Sequence, residues 1–117
     1  MRPFALAIAL LAIPVASMAA TYAPSDAAAH IGESATVEGV VSGTHIDDRS
    51  GVGFINMGGR YPNQTFTGFI PRTALDRFGD LRRYDGKTIG ITGTIRDYKG
   101  KPEIIVSDPR QIQPKGR

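Results

Sequence analysis

The chain has 117 residues, enough for one small domain, and a formal net charge of +3 from 14 Lys and Arg against 11 Asp and Glu. This mild positive charge is far below the dense positive field of a dedicated nucleic-acid-binding protein. The chain has no cysteine, which excludes thiolate catalysis, thiolate metal sites, disulfides and a lipid-modified cysteine. We therefore expect a domain that is held together by its apolar core alone.

The first 19 residues have the order of features that is typical of a secretory signal peptide. Arg2 gives a basic start, residues 4–13 are uninterruptedly apolar, and Ser17 and Ala19 are small residues placed for a cut after Ala19. The apolar run is shorter than the roughly 20 residues that a membrane-spanning helix needs. We predict a soluble bacterial protein that is periplasmic or secreted and has no membrane anchor after cleavage. An uncleaved anchor is the alternative.

The mature chain divides into three predicted parts. Residues 20–29 are small and polar and are predicted to be a flexible lead-in. Residues 30–113 carry the periodic apolar pattern and are predicted to form the folded domain. Residues 114–117 are predicted to be a polar tail. Without Arg2, the mature chain has a net charge of about +2.

Three strands are predicted first in the folded domain. Residues 35–44 alternate between two faces with period two, which predicts a strand. Residues 45–51 form a polar turn that ends in glycine, and residues 53–57 make a second, shorter strand. Residues 65–70 make a third strand, because the proline that follows cannot continue the ladder.

A short helix and the clearest strand follow. Residues 72–79 have helical spacing of apolar side chains, with Thr73 as the predicted N-cap and Gly79 as the end. Residues 87–98 alternate between isoleucines and threonines or other polar residues with few exceptions, which predicts the fourth strand.

The last strand is predicted to return from the fourth through a tight hairpin. Gly100 lies at the turn position that favours positive φ, and residues 102–106 form the fifth strand. Three strands, a helix and two strands are the order of the OB-fold. The predicted fold is thus all-β, a five-stranded Greek-key OB-fold barrel with one short helix between strands three and four. A generic five-stranded sandwich is the alternative.

Two segments resemble known OB-fold domains. Residues 84–106, Y-D-G-K-T-I-G-I-T-G-T-I-R-D-Y-K-G-K-P-E-I-I-V, are similar to the last two strands of OB-fold domains described as nucleic-acid binding. Residues 54–70, F-I-N-M-G-G-R-Y-P-N-Q-T-F-T-G-F-I, resemble small exported bacterial OB-fold domains that are found alone or attached to nucleases. In that family a Phe-Leu-Asn-Leu strand leads into a Tyr-Pro-Asn-Gln-x-Phe turn. The resemblance covers residues 30–112 and implies the fold and nucleic acid as the partner class.

A looser similarity connects the chain to periplasmic stress-related bacterial OB-fold proteins. For those proteins, nucleic acid is not the expected partner, so this similarity implies a protein partner instead.

The sequence contains no constellation that is typical of an enzyme. His30 and His45 have no metal-ligand partner at a suitable spacing, and Asp47 and Asp48 suit a solvated turn. No serine lies in a nucleophile motif, and the glycine pair 58–59 is not followed by the Lys-Ser/Thr of a phosphate loop. We predict a protein that is not an enzyme and has no catalytic residue, no metal and no cofactor. An unrecognised hydrolase is the alternative.

Candidate binding residues follow from the way OB-folds bind ligands, across strands two and three and between the loops after strands one and four. Single-stranded nucleic acid needs aromatic side chains for stacking and cations along its backbone. Phe66 and Phe69 have opposite parity, so at most one of them faces the ligand, and Phe54 suits either the core or the binding face. The predicted binding residues are Phe54, Phe69, Arg96, Tyr98, Lys99, Lys101, Arg49, Arg60 and Tyr61.

The predicted function is that of a non-enzymatic exported module with weak or accessory binding of single-stranded nucleic acid or another oligomeric anion. The alternative is a periplasmic stress-response or protein-interaction domain that does not bind nucleic acid. Residues 56–66 are expected to be structural first, and the hairpin at residues 96–101 to carry the binding. The oligomeric state is left open.

Overall fold

A computed structural model describes residues 19–115, so the predicted signal peptide, apart from Ala19, lies outside the described residues, as do residues 116 and 117 of the predicted tail. The prediction of an all-β protein is confirmed. Within residues 19–115, seven strands form one sheet: β1 (Ala20–Tyr22), β2 (Ser34–Ile46), β3 (Gly53–Met57), β4 (Phe66–Ile70), β5 (Thr88–Tyr98), β6 (Lys101–Ile105) and β7 (Ile112–Pro114). Helical structure in the described part of the chain is confined to 3-10 segments at Pro24–His30, Arg72–Arg77, Leu81–Tyr84 and Pro109–Gln111. None of the helices in this part of the chain has the length and apolar character needed to cross a membrane.

Five of the strands are paired in a cycle. The order across the sheet is β1-β2-β3-β4-β6-β5-β7, and β2 also pairs with β5. Consequently β2, β3, β4, β6 and β5 each have a partner on both sides within the cycle. The β4–β6 pairing is parallel, and the other pairings of the cycle are antiparallel. The 13-residue β2 is long because its first half pairs with β5 and its second half with β3.

Two short strands raise the count from the predicted five to seven. β1 pairs in parallel with the start of β2, and β7 pairs antiparallel with the start of β5. Each has three residues, which is too few for a period-two pattern to be recognisable in sequence. They form because β2 and β5 offer backbone groups that need hydrogen-bond partners.

The residues predicted to form a flexible lead-in are structured. They form β1 and most of the 3-10 helix Pro24–His30, and the Ala27 side chain is fully buried in the core. The half-buried Tyr22 packs against the same core. Small residues such as alanine can be buried without making an apolar pattern, so this packing could not be predicted from the sequence. At the other terminus, Pro114, the first residue of the predicted polar tail, belongs to β7.

The single helix predicted for residues 72–79 is replaced by two 3-10 helices, Arg72–Arg77 and Leu81–Tyr84. Thr73 is not an N-cap, since the first helix begins after Pro71 without a side-chain cap. Gly79 follows this helix with a φ of 67°, as expected of the residue that ends it. Asp80 then caps the second helix by accepting a hydrogen bond from the Arg82 backbone N–H.

The core follows the predicted alternation. Ile89, Ile91 and Ile95 of β5 are at most 1% exposed. Phe66 is fully buried, as expected if Phe69, which has the opposite parity, is the one that faces outward. The β5–β6 hairpin has the two-residue loop Lys99–Gly100, with φ of 51° and 86°. Positive φ at both positions is the geometry of a type I′ turn, and it confirms the prediction for Gly100.

Candidate functional site

An aromatic row crosses the outer face of the sheet. His45, Phe54, Phe69 and Ile105 lie opposite one another on β2, β3, β4 and β6. The Phe54 and Phe69 rings meet edge to face with centroids 5.9 Å apart, and the His45 ring stacks on Phe54 at 6.2 Å. Both phenylalanines are half-buried, because the alternate residues of β3 and β4 point into the core. Phe54 therefore belongs to the outer face and not to the core.

A polar row lies next to the aromatic row. Asn56, Thr67, Glu103 and Arg96 face one another across β3, β4, β6 and β5. The Thr67 hydroxyl donates to Asn56 Oδ1 at 3.0 Å. Arg96 donates to Glu103 Oε2 from Nε at 2.9 Å and from Nη2 at 2.5 Å. The Glu103 side chain is 7% exposed and that of Arg96 is 44% exposed, so the charge of Arg96 is compensated by a buried carboxylate.

An open groove of about 1660 Å³ lies over these two rows. Its ends and walls include the β2–β3 loop, residues 58–65 and the β5–β6 hairpin. The groove brings together eight of the nine predicted binding residues: Phe54, Phe69, Arg96, Tyr98, Lys99, Lys101, Arg60 and Tyr61. Arg49 is exposed on the β2–β3 loop and does not line the groove, whereas Asp47 and Ser50 of that loop do.

The segment 58–65 is connected to both sides of the groove. The Lys101 ammonium donates a hydrogen bond to the Pro62 carbonyl, which joins this segment to the hairpin. On the opposite side, the Ser42 hydroxyl donates to the Gly59 carbonyl at 2.5 Å. Tyr61 and Tyr98 are 78% and 52% exposed. The segment that was expected to be structural thus also forms part of the groove, beside the hairpin that was expected to bind.

The groove is nearly balanced in charge. Asp47 is held as an anion, since hydrogen bonds from the Ser50 backbone N–H and hydroxyl lower the pKa of its carboxyl. Among the described residues, the lining of the groove includes four cations and three carboxylates. The cations are Arg60, Arg96, Lys99 and Lys101, and the carboxylates are Asp47, Asp85 and Glu103. The resulting net charge of the lining is about +1.

Glu103 and its ion pair with Arg96 were not among the residues predicted from the sequence. A signal was present, because a two-residue turn at residues 99–100 places Arg96 opposite Glu103 in an antiparallel hairpin. Arg96 is therefore not a free cation, because the register of the hairpin pairs it with Glu103.

Away from the groove, His30, Tyr22 and Glu33 form a small cluster that connects β1 to the residues just before β2. The His30 ring stacks on Tyr22 with centroids 3.7 Å apart, and its Nδ1 lies 2.7 Å from Glu33 Oε2. The Tyr22 hydroxyl donates to Glu33 Oε1 at 2.5 Å. This hydrogen bond lowers the pKa of Glu33 and raises that of Tyr22. Nowhere in residues 19–115 do three His, Asp or Glu side chains come together as a metal site.

Comparison with known proteins adds information on the fold. No protein-family model and no curated protein matches the chain. Among solved structures, one assigned as an aspartyl-tRNA synthetase from Leishmania major Friedlin matches with a TM-score of 0.53 and 10% sequence identity. The match covers 89% of this chain and 22% of that structure. At this identity the likeness shows a shared fold alone. Fold and groove together define a small all-β domain with an open groove that has aromatic side chains on its floor.

Proposed function

We propose that β2 to β6 form an OB-type barrel and that its groove binds single-stranded nucleic acid without catalysing a reaction. One observation carries the proposal: the groove lies over β3 and β4 and is framed by the β2–β3 and β5–β6 loops. In the paired cycle these are strands two and three and the loops after strands one and four, the place where OB-folds bind oligonucleotides. The matched synthetase, whose name identifies tRNA as its substrate, supports the same partner class.

The chemistry of the groove suits bases better than phosphates. The half-buried Phe54 and Phe69 and the exposed Tyr61 and Tyr98 offer aromatic faces and edges to a splayed base. A base stacked on an aromatic side chain contributes about 1–3 kcal/mol. With a net lining charge of about +1, the electrostatic contribution is small. We expect weak binding that is dominated by stacking.

Fluorescence anisotropy with a fluorescein-labelled dT12 at low salt tests this function. Tyr98→Ala is expected to weaken binding by about tenfold, since it removes one stacking surface, while Tyr98→Phe is expected to retain it. The proposal fails if the wild-type protein does not bind dT12 at low salt, or if Tyr98→Ala binds as well as the wild type.

The balanced groove charge and the exposed tyrosines also favour a second function, a protein-docking domain of the stress-response type. Tyr61 and Tyr98 are exposed, and tyrosine is enriched at protein interfaces. A pull-down from nuclease-treated periplasmic extract distinguishes the two functions. A partner that persists after nuclease treatment and is lost with Tyr61→Ala and Tyr98→Ala together supports docking of a protein.

We also infer that the chain is exported, through cleavage after Ala19. Such a cut makes Ala20 the new N-terminus, and Ala20 is the first residue of β1, so every described strand and helix stays intact. Mass spectrometry of the protein from the bacterial periplasm or culture medium is expected to find Ala20 at the N-terminus. A mature protein that retains Met1 would overturn this inference.

A further inference from the structure

The cations of the groove lie at one end of it. Arg60 belongs to segment 58–65, and Lys99 and Lys101 belong to the hairpin. The hydrogen bond from Lys101 to the Pro62 carbonyl shows that the segment and the hairpin are in contact. Arg96, the remaining basic lining residue of the described chain, is neutralised by the buried Glu103. This end of the groove therefore holds the uncompensated positive charge.

The side of the groove that β2 and the β2–β3 loop form is lined by carboxylates. Beyond the row of Phe54 and Phe69, the β2–β3 loop contributes Asp47 to the lining, and hydrogen bonds from Ser50 lower the pKa of its carboxyl. Asp85 lies along β2, where it accepts a hydrogen bond from the Thr44 hydroxyl at 2.9 Å. Arg49 of the β2–β3 loop does not line the groove. A phosphate backbone that continued from the hairpin towards β2 and this loop would approach these two carboxylates.

The aromatic row lies a short distance from the cationic end. Phe54 precedes Asn56 by two residues on β3, and Gly58 at the start of the cationic segment follows two residues later. Four residues of extended chain span about 13 Å. This length suits one or two nucleotides between the aromatic row and the cations.

We propose that the groove takes a nucleotide unit that ends in a phosphate, free or at the end of a strand, with the phosphate at the hairpin end and the base on Phe54 and Phe69. The inference rests on the proposed function and narrows its ligand from any single strand to a phosphorylated end. A terminal phosphate ester carries a charge of about −1.5 to −2 at neutral pH, more than the single charge of an internal diester. It therefore matches a cluster of cations at one end of a groove whose β2 side is lined by carboxylates.

Isothermal titration calorimetry with four probes tests the proposal: dT2, dT2 with a 5′-phosphate, dT2 with a 3′-phosphate, and unphosphorylated dT12. We expect one of the phosphorylated dinucleotides to bind about tenfold more tightly than dT2 and within about threefold of dT12. Arg60→Ala with Lys101→Ala is expected to abolish the preference for the phosphate. Lys115→Ala, which removes a lysine outside the groove, is the matched control. A 5′-phosphorylated and a 3′-phosphorylated dT12 then show whether the end of a strand binds as well as the free dinucleotide.

A second experiment tests for a gain in affinity when the carboxylates of the groove are neutralised. Asp47→Asn with Asp85→Asn keeps both acceptor oxygens but removes both charges, so dT12 affinity is expected to rise about fivefold more than that of the phosphorylated dinucleotide. The inference is overturned if a terminal phosphate on dT2 has no effect, or if dT12 binds more than about tenfold better than both phosphorylated dinucleotides. Absence of binding by dT12 and every dinucleotide overturns the proposed function itself.

Discussion

Arg96 and Glu103 face each other across the β5–β6 hairpin, and their ion pair decides how much positive charge the groove floor presents. Glu103 is buried on the outer face of the sheet, with 7% of its side chain exposed. A buried carboxylate needs a charged partner, because desolvation without one is costly. The pair therefore links the stability of the hairpin to the electrostatics of the groove.

The substitution Glu103→Gln is expected to lower stability and raise affinity together. The amide still accepts a hydrogen bond from Arg96, but the loss of charge assistance lowers the free energy of unfolding by about 1 kcal/mol. Because the charge of Arg96 is then uncompensated, dT12 is expected to bind about threefold more tightly. Fluorescence anisotropy measures the affinity, and urea denaturation measures the free energy of unfolding. Asp80→Asn removes a carboxylate from the exposed Arg82 pair outside this groove and serves as the control. Unchanged affinity in Glu103→Gln would contradict the coupling.

Asp108 gives the chain an acid-dependent contribution to stability. Its carboxylate accepts hydrogen bonds from the Arg110 side chain and backbone N–H, which lower its pKa to about 2 from the usual 3.8. A lowered pKa in the folded state means that the contribution is present above pH 3.8 and is lost as the pH falls towards 2. Asp108→Asn keeps a capping side chain and removes the charge. We expect its Tm to be below that of the wild type at pH 7 and equal to it near pH 2; an equal difference at both pH values would contradict this.

At the scale of elements, the β5–β6 hairpin has a strained turn whose Lys99 side chain lines the groove. Lys99 has a φ of 51°, a region that costs an L-residue with a long side chain about 1–2 kcal/mol. Asparagine visits this region readily, and Asn-Gly is the preferred pair for a type I′ turn.

Replacing Lys99 with Asn is expected to separate stability from binding. The free energy of unfolding should rise by about 0.5 kcal/mol because the strain is relieved. The dT12 affinity should fall about threefold because a cation at the hairpin end is lost. Thermal denaturation and anisotropy on the same samples measure both effects. A variant that gains stability and keeps full affinity would show that Lys99 does not contact the ligand.

The 3-10 helix Pro24–His30 tests whether the N-terminal segment is part of the folded domain. Ala27 is fully buried, whereas Ala29 of the same helix is exposed. Ala27→Asp would bury an unpaired charge and is expected to cost about 3 kcal/mol or more, while Ala29→Asp should have little effect. Urea denaturation compares the two. Equal stabilities would mean that this segment does not pack on the strands of the sheet.

At the scale of the whole molecule, a net charge near +2 on residues 20–117 limits any long-range attraction of nucleic acid. Contacts from Arg60, Lys99 and Lys101 would release about three counterions. For a single strand the plot of log K against log salt is then expected to have a slope of about −2. Anisotropy titrations of dT12 between low and moderate salt measure this slope. A slope steeper than about −4 would show that cations outside the groove dominate binding.

Much of the chain's local structure could be predicted from the sequence, because it depends on neighbours along the chain. Period-two alternation predicted the long strands at residues 35–44 and 87–98, the bounds predicted for the second strand, 53–57, are those of β3, and Gly100 identified the hairpin turn. Because successive side chains of a strand point to opposite faces, Phe66 and Phe69 were expected on different faces, and they lie in the core and in the groove respectively. These features follow from backbone geometry and from the partition of apolar side chains between two faces.

Tertiary structure alone decided what these elements bring together. It added β1 and β7, buried Ala27 and divided the predicted helix into two 3-10 segments, because each of these depends on contacts with residues distant in sequence. It also brought segment 58–65 against the hairpin through Lys101 and Pro62 and paired Arg96 with Glu103. The sequence thus determined which side chains were available for binding. The closure of the strand cycle determined which of these side chains share one groove. It also determined which of their charges are paired, since burial and ion pairing are properties of the packed chain.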